Sequence, residues 1–206
     1  MTKIKSSKRE DVEQKLIQAA SELICDLGPN KITIRDIADH AGVNHGQIHH
    51  YFGGKKGLLE ATYKQLAFEH VQKLDRRKVN IHNLGNESVA KTDPEYFKAI
   101  IKAVADDQLQ LATLEIDEGL SIPRALIQQL RVATKKNAVS SEMKAAVAIA
   151  CVLEYGLSMM DSYIDVVLDM KKKDKEVFMS YFLKSRSAYI NAVSYTHLTL
   201  PTILLV

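Results

Sequence analysis

A chain of 206 residues, 46% of them hydrophobic and 26% charged, has an ordinary globular composition and room for one large domain or two small ones. Its net charge of +3 is too mild to announce a nucleic-acid partner by bulk electrostatics. Two cysteines, Cys25 and Cys151, exclude a disulfide framework or a cysteine-rich zinc site and read as buried free thiols on apolar helix faces.

Lys3, Lys5, Lys8 and Arg9 precede the first acid, Glu10, a short basic arm suited to phosphate. From Glu10 to Leu27, apolar residues recur at three and four (Val12, Leu16, Ala19, Ala20, Leu23, Ile24, Leu27), and Gly28-Pro29 stops the helix. Thr33 and Asp36 read as a variant capping box for a second helix with Ile34, Ile37, Ala38 and Ala41 on one face. Gly42 supplies the left-handed turn. Asn44 is expected to cap a third helix, with Gln47 completing its box. Two short helices on a glycine turn make a helix-turn-helix.

A long helix is expected over 56–78, with Leu58, Leu59, Thr62, Tyr63, Leu66, Val71 and Leu74 inward. Asn80 to Asp93 loses the period and reads as a loop with room for one helical turn. Pro94 opens a helix carrying Phe97, Ile100, Ile101, Val104, Leu111 and Leu114 to about Ile116; Ser121 starts another, to about Thr134. Ser140 opens the longest apolar-rich helix, to about Met170, lined with Ala145, Ala146, Ala148, Ala150, Gly156 and Ser158. A last helix spans Glu176 to about Ala192. No alternating strand pattern occurs before residue 193, so the fold class is all-α, with a three-helix N-terminal domain over 1–56 that holds the helix-turn-helix and a second helical domain over 57–193. The stretch 194–206, SYTHLTLPTILLV, is apolar and β-branched and reads as a non-native tail.

The basic N-terminus lacks the apolar core of a signal peptide. The longest wholly apolar run, Ala145 to Leu153, falls well short of the roughly 20 residues of a membrane helix. A cytoplasmic protein without a membrane partner is therefore expected.

The second helix of a helix-turn-helix enters the major groove, its first residues on base edges. Those are Asn44, His45, Gln47, His49 and His50, with Tyr51 by the groove wall. Gln47 suits an adenine edge, and the histidines suit guanine or phosphate. Gly46 lets the backbone come close to DNA. Thr33 and Lys55, each at a helix start, are phosphate candidates. Capping alone also explains Asn44 and Gln47, and core packing explains Phe52 and competes for Tyr51. His45 and His49, four apart, match a metal spacing, but no neighbouring cysteine completes a site; a pH-dependent DNA affinity is the plainer consequence. No phosphate loop, serine elbow or metalloprotease motif is present, so neither an enzyme nor a cofactor is expected. Glu115, Glu154 and Asp161 could instead face a pocket for a cationic ligand.

The run Thr33-Ile34-Arg35-Asp36-Ile37-Ala38, then Ala41-Gly42-Val43, Gly46, Ile48, Tyr51-Phe52, Lys55 and Leu58-Leu59 resembles the DNA-binding domain of the TetR family of transcriptional regulators. The match covers roughly residues 9 to 60. Asn44 stands where serine or threonine is common, His49 where tyrosine is, Gly53-Gly54 where a polar pair is, and Gly57 where glutamate is frequent. The resemblance implies a homodimeric, ligand-responsive repressor on a palindromic double-stranded DNA operator. It pairs the small-residue helix and the final helix in a dimer bundle, and it places a small-molecule effector among the helices after residue 56. Phe97, Ile101, Val104, Leu111, Met159 and Tyr163 are the candidate lining. A helical protein-interaction module that does not bind DNA is the alternative, separable by salt dependence.

Overall fold

The structure, a computed structural model, describes residues 2–78 and 87–194. All of its regular elements are helices: α1 Thr2–Leu27, α2 Ile34–Ala41, α3 Gly46–Phe52, α4 Lys55–Arg76, α5 Val89–Thr92, α6 Pro94–Ala105, α7 Leu109–Ala112, α8 Leu114–Asp117, α9 Ile122–Ala133, α10 Ser141–Val167 and α11 Lys172–Ser194. Among the described residues there is no strand.

Several boundaries differ from expectation, among them the start of α11, four residues before the expected Glu176. The backbone of α1 is helical from Thr2, because nothing before Glu10 forbids a helix. The expected helix from Pro94 to Ile116 breaks after Ala105. Asp107 turns left-handed there (φ 58°), and Gln108 N closes onto Ala103 O at 2.8 Å. Ser194, expected in the tail, ends α11, and the rest of that tail lies outside the described residues. So does the first half of the expected loop over 80–93, in whose second half Val89–Thr92 form the single turn α5.

The chain falls into two compact units, Met1–Lys73 with Asp93–Ser121, and Leu74–Thr92 with Ile122–Val206. The first is larger than the expected 1–56. It keeps most of α4 and recovers α6 to α8, because α6 packs on α1. Its core holds Leu16, Ala20, Ile24, Ile37, Ile48, Leu58, Tyr63, Phe97 and Ala99, all buried. Below that core, His70 Nδ1 meets Asp93 Oδ2 at 3.0 Å and Lys73 Nζ donates to Asp93 Oδ1 at 2.7 Å. The His70 ring stacks on Tyr96 at 4.0 Å, and the Tyr96 hydroxyl donates to Glu115. Burial would raise the Asp93 carboxyl, yet the His70 and Lys73 hydrogen bonds and charges hold it below the ordinary carboxylate range.

In the second unit α10 packs on α5, α9 and α11, burying Met143, Ala146, Val147, Ala150 and Leu157. Ser140 caps α10, accepting from Met143 N at 3.4 Å. By length and composition α10 could cross a bilayer, which the count of unbroken apolar residues did not foresee: Glu142, Lys144 and Glu154 interrupt the run without making the helix polar. Glu154 is itself buried. It accepts from Ser88 Oγ at 2.7 Å and Ala90 N at 2.9 Å and pairs with buried Arg186. Arg186 Nη2 donates to Glu87 O at 2.8 Å, and burial pushes its guanidinium down to about 10.

Candidate nucleic-acid interface

The second helix starts where the sequence says it must. Thr33 is extended (φ −111°, ψ 163°); its Oγ1 accepts from Asp36 N at 3.2 Å, while Asp36 Oδ2 accepts from Thr33 N at 2.8 Å. Hydrogen bonding of the carboxyl to the Thr33 side chain and backbone N–H holds Asp36 below its ordinary value. Gly42 ends α2 in the left-handed region (φ 66°), and Val43 N closes back on Ala38 O at 3.0 Å. A side chain at that φ costs about 1 kcal/mol or more, which glycine avoids.

The entry to α3 differs from the expected box. Asn44 Oδ1 accepts from Gly46 N at 2.8 Å, two residues on rather than three, so the turn is an Asx turn. His45 is the cap residue by backbone and makes no side-chain cap bond. Gln47 does not reach back. Its Oε1 is enclosed without a hydrogen-bond partner. Because α3 is short, only Ile48 of its side chains is fully buried, which fixes the helix against the core and turns the opposite face outward. His45, Gly46, His49 and His50 are exposed there.

Tyr51 is half-buried. The Arg9 guanidinium lies 5.4 Å from its ring centre, and the His50 ring is 4.9 Å away. Phe52, expected in the core, is only half-buried. Lys55 opens α4 half-buried; burial lowers its ammonium pKa, and Asp106 and Asp36 oppose the drop. Thr33 and Asn44 are exposed. The expected contact residues thus gather around α3 and the starts of α2 and α4.

Two features escaped the sequence. At Gly57 a Cβ would stand 2.0 Å from the Phe52 carbonyl oxygen, so the residue read as a departure from the family pattern is sterically required here. Asp106 pins the loop between α1 and α2: Asn30 N donates to its Oδ2 at 2.9 Å and Asn30 Nδ2 to its carbonyl at 2.8 Å, while Gln108 Nε2 donates to Asn30 Oδ1 at 3.0 Å. Gly28 belongs to the same joint, since a Cβ there would lie 2.7 Å from Asp106 Oδ2. Three glycines within five residues (Gly53, Gly54, Gly57) were the available signal for the first. Nothing local signals a partner 76 positions away.

His40, the fourth histidine of this region, lies 2.6 Å from Glu22 Oε2. Among the described residues no group of three His, Cys, Asp or Glu is placed to hold a metal. Cys25 and Cys151 are half-buried and not joined in a disulfide; burial first, then Glu95, pushes Cys25 up to about 11.

Of the six expected effector-lining residues, Phe97 and Leu111 are buried and Ile101 is half-buried. Val104, Met159 and Tyr163 are 53%, 64% and 59% exposed, so the apolar period located their faces without telling which faces point inward. The acids suggested for a cationic ligand are engaged: Glu115 by Tyr96, Glu154 by Arg186, and Asp161 by Lys91 at 3.2 Å.

The family profile described as bacterial regulatory proteins, tetR family, matches residues 16–62. Over that stretch the chain matches the TetR-type helix-turn-helix domain. The HTH-type transcriptional regulator BetI 2 of Chromohalobacter salexigens is 53% identical over 53 residues, 26% of each chain. BetI 1 of the same organism is 46% identical over 65 residues, 32% of each. The HTH-type transcriptional repressor Rv3405c of Mycobacterium tuberculosis is 41% identical over 58 residues, 28% of this chain and 31% of its own. The chain thus matches about a quarter to a third of the length of these curated relatives, and the matched part carries the TetR-type helix-turn-helix. Two crystal structures share the fold more widely. A tetR-family transcriptional regulator from Streptomyces coelicolor aligns at TM-score 0.60 and 18% identity over 91% of this chain and 83% of its own. A TetR-family chain from Rhodococcus sp. aligns at 0.60 and 17%, over 88% and 99%.

Proposed function

We propose that the chain is a DNA-binding transcriptional regulator, a repressor that binds a palindromic operator as a homodimer and responds to a small-molecule effector. The observation that carries the reading is the outward face of α3. It exposes His45, Gly46, His49 and His50, with half-buried Gln47 among them. Turned outward from its enclosed position, the Gln47 amide would pair with an adenine edge, accepting from N6 and donating to N7, the standard bidentate pairing in the major groove. Thr33 and Lys55, at the starts of α2 and α4, take backbone phosphates on either side.

One seven-residue helix reads too few bases for tight specific binding, so two copies on a two-fold axis are required. The surface for that pairing is an apolar stripe on α10. Val152, Met159, Tyr163 and Val166 recur at seven, four and three and are 70%, 64%, 59% and 80% exposed. Gly156 lies in the same stripe with nothing within 4 Å of its Cβ position. On α11, Val177 and Tyr181 are also exposed. A soluble monomer rarely leaves such a stripe open. Effector binding is assigned on resemblance to the helices from α4 to α10, with Phe97, Ile101 and Leu111 the remaining interior candidates. No catalytic role is assigned.

The test is fluorescence anisotropy with duplex DNA from upstream of the protein's own gene, against a scrambled duplex, across a salt series. Sequence-specific binding with a steep negative salt slope and two chains per site is the expected result. Gly46→Glu is expected to keep the fold and abolish binding, because it places a carboxylate where α3 meets the phosphates. Full affinity in that variant would show that α3 does not enter the groove.

A further inference from the structure

Arg9 lies on α1, outside the helix-turn-helix, and is 62% exposed. Its guanidinium carbon lies 5.4 Å from the centre of the Tyr51 ring, within cation–π range. Its Nε donates to Glu13 Oε1 at 2.7 Å, and Glu13, by hydrogen bond and charge, raises the Arg9 pKa. Tyr51 is flanked on α3 by the His50 ring, tilted 56° to it. A helix-surface arginine with a carboxylate four residues on needs no aromatic partner to be accounted for. This one crosses from α1 to the last turn of α3, where its side chain meets a residue of the expected groove wall.

We propose that Arg9 is a positioning residue of the DNA interface. It fixes the Tyr51 ring and brings its own charge to the backbone phosphate that Tyr51 reaches, so that α1 and α3 grip one strand together. The proposal rests on the reading of α3 as the groove helix. Glu13 occupies Nε and leaves the Nη groups as a fork suited to phosphate oxygens. Lysine at this position keeps a charge but has neither the planar fork nor the flat face that stacks on a ring. Holding the tyrosine before DNA arrives removes part of the ordering cost of binding.

The experiment is a double-mutant cycle in the full-length protein: Arg9→Ala, Tyr51→Leu and the pair, with Arg9→Lys and Lys8→Ala alongside. Binding is read by anisotropy on the upstream and scrambled duplexes over a salt series, and folding by thermal melts. Arg9→Ala is expected to weaken binding about tenfold and to flatten the log–log salt slope by about 0.9, one phosphate contact. The Arg9 and Tyr51 effects are expected to be strongly sub-additive. Arg9→Lys should restore the slope but not the affinity, and Lys8→Ala should be additive with Tyr51→Leu. Additive Arg9 and Tyr51 effects, or full rescue by lysine, would leave Arg9 as one more surface charge and overturn the proposal while the DNA-binding reading stands. Absence of wild-type binding to either duplex would remove both.

Discussion

Asp93 sits 2% exposed between His70, also buried, and Lys73, which keeps 35% of its side chain in solvent. Its unfolded carboxyl titrates near pH 4, and its folded one titrates lower. A carboxyl depressed in the folded state stabilises the protein above the unfolded pKa, and that stability is lost as pH falls through the folded pKa. Thermal melts should therefore fall below about pH 4, and Asp93→Asn should flatten that part of the profile. Removing the acid with Asp93→Ala strands a buried imidazole and an ammonium, and is expected to cost about 3 kcal/mol at neutral pH. An unchanged melting temperature would mean that solvent already screens the cluster. At this scale the sequence was readable where partners are close in the chain, as with Thr33 and Asp36. It was not readable for Asp93, which stands at the N-cap position of α6 although its side chain makes no cap bond there. A carboxylate accepts the strongest donors in reach, and here those come from α4.

The junction of α3 and α4 shows how elements constrain one another. Gly53 and Gly54 take φ of 70° and 121°, turning the chain so sharply that the Phe52 carbonyl enters the space above Gly57. Gly57→Ala should force α3 and α4 apart, costing about 1–3 kcal/mol, the usual range for overpacking. Because α3 carries the expected base contacts, DNA affinity should fall along with the melting temperature. Wild-type values for both would show that the junction has slack. The break after α6 has a similar origin. Asp106 offers both its carboxylate and its carbonyl to Asn30. Held there, the chain turns left-handed at Asp107 (φ 58°), which no continuing α-helix allows.

For the molecule as a whole, the stripe on α10 is the feature with the largest consequence. Val166 is its most exposed member, at 80%. Val166→Glu should leave the protomer fold intact, since the side chain touches water already, and should convert a dimer into a monomer by size-exclusion chromatography with light scattering. Specific operator affinity should drop at least a hundredfold as the second recognition helix is lost. A dimer that survives the charge would move the interface elsewhere. The division into units also belongs to this scale. A boundary at 56/57 follows from the end of the motif. The contacts carry the first unit on through α4 to Lys73 and add Asp93–Ser121.

The sequence by itself determined the helices, the capped α2, the left-handed glycine turn and the family of the DNA-binding domain. Each depends on residues within a few positions of one another, where spacing and backbone preference act directly. Only the tertiary structure decided what the other faces do. Apolar spacing marks a stripe equally well for Leu157, which is buried, and for Val166, which is not. The Asn30–Asp106 joint and the Arg9–Tyr51 contact arise from chain crossings that no local period encodes. Hydrogen bonds and steric exclusion act at about 3 Å through space, regardless of how much chain lies between the partners.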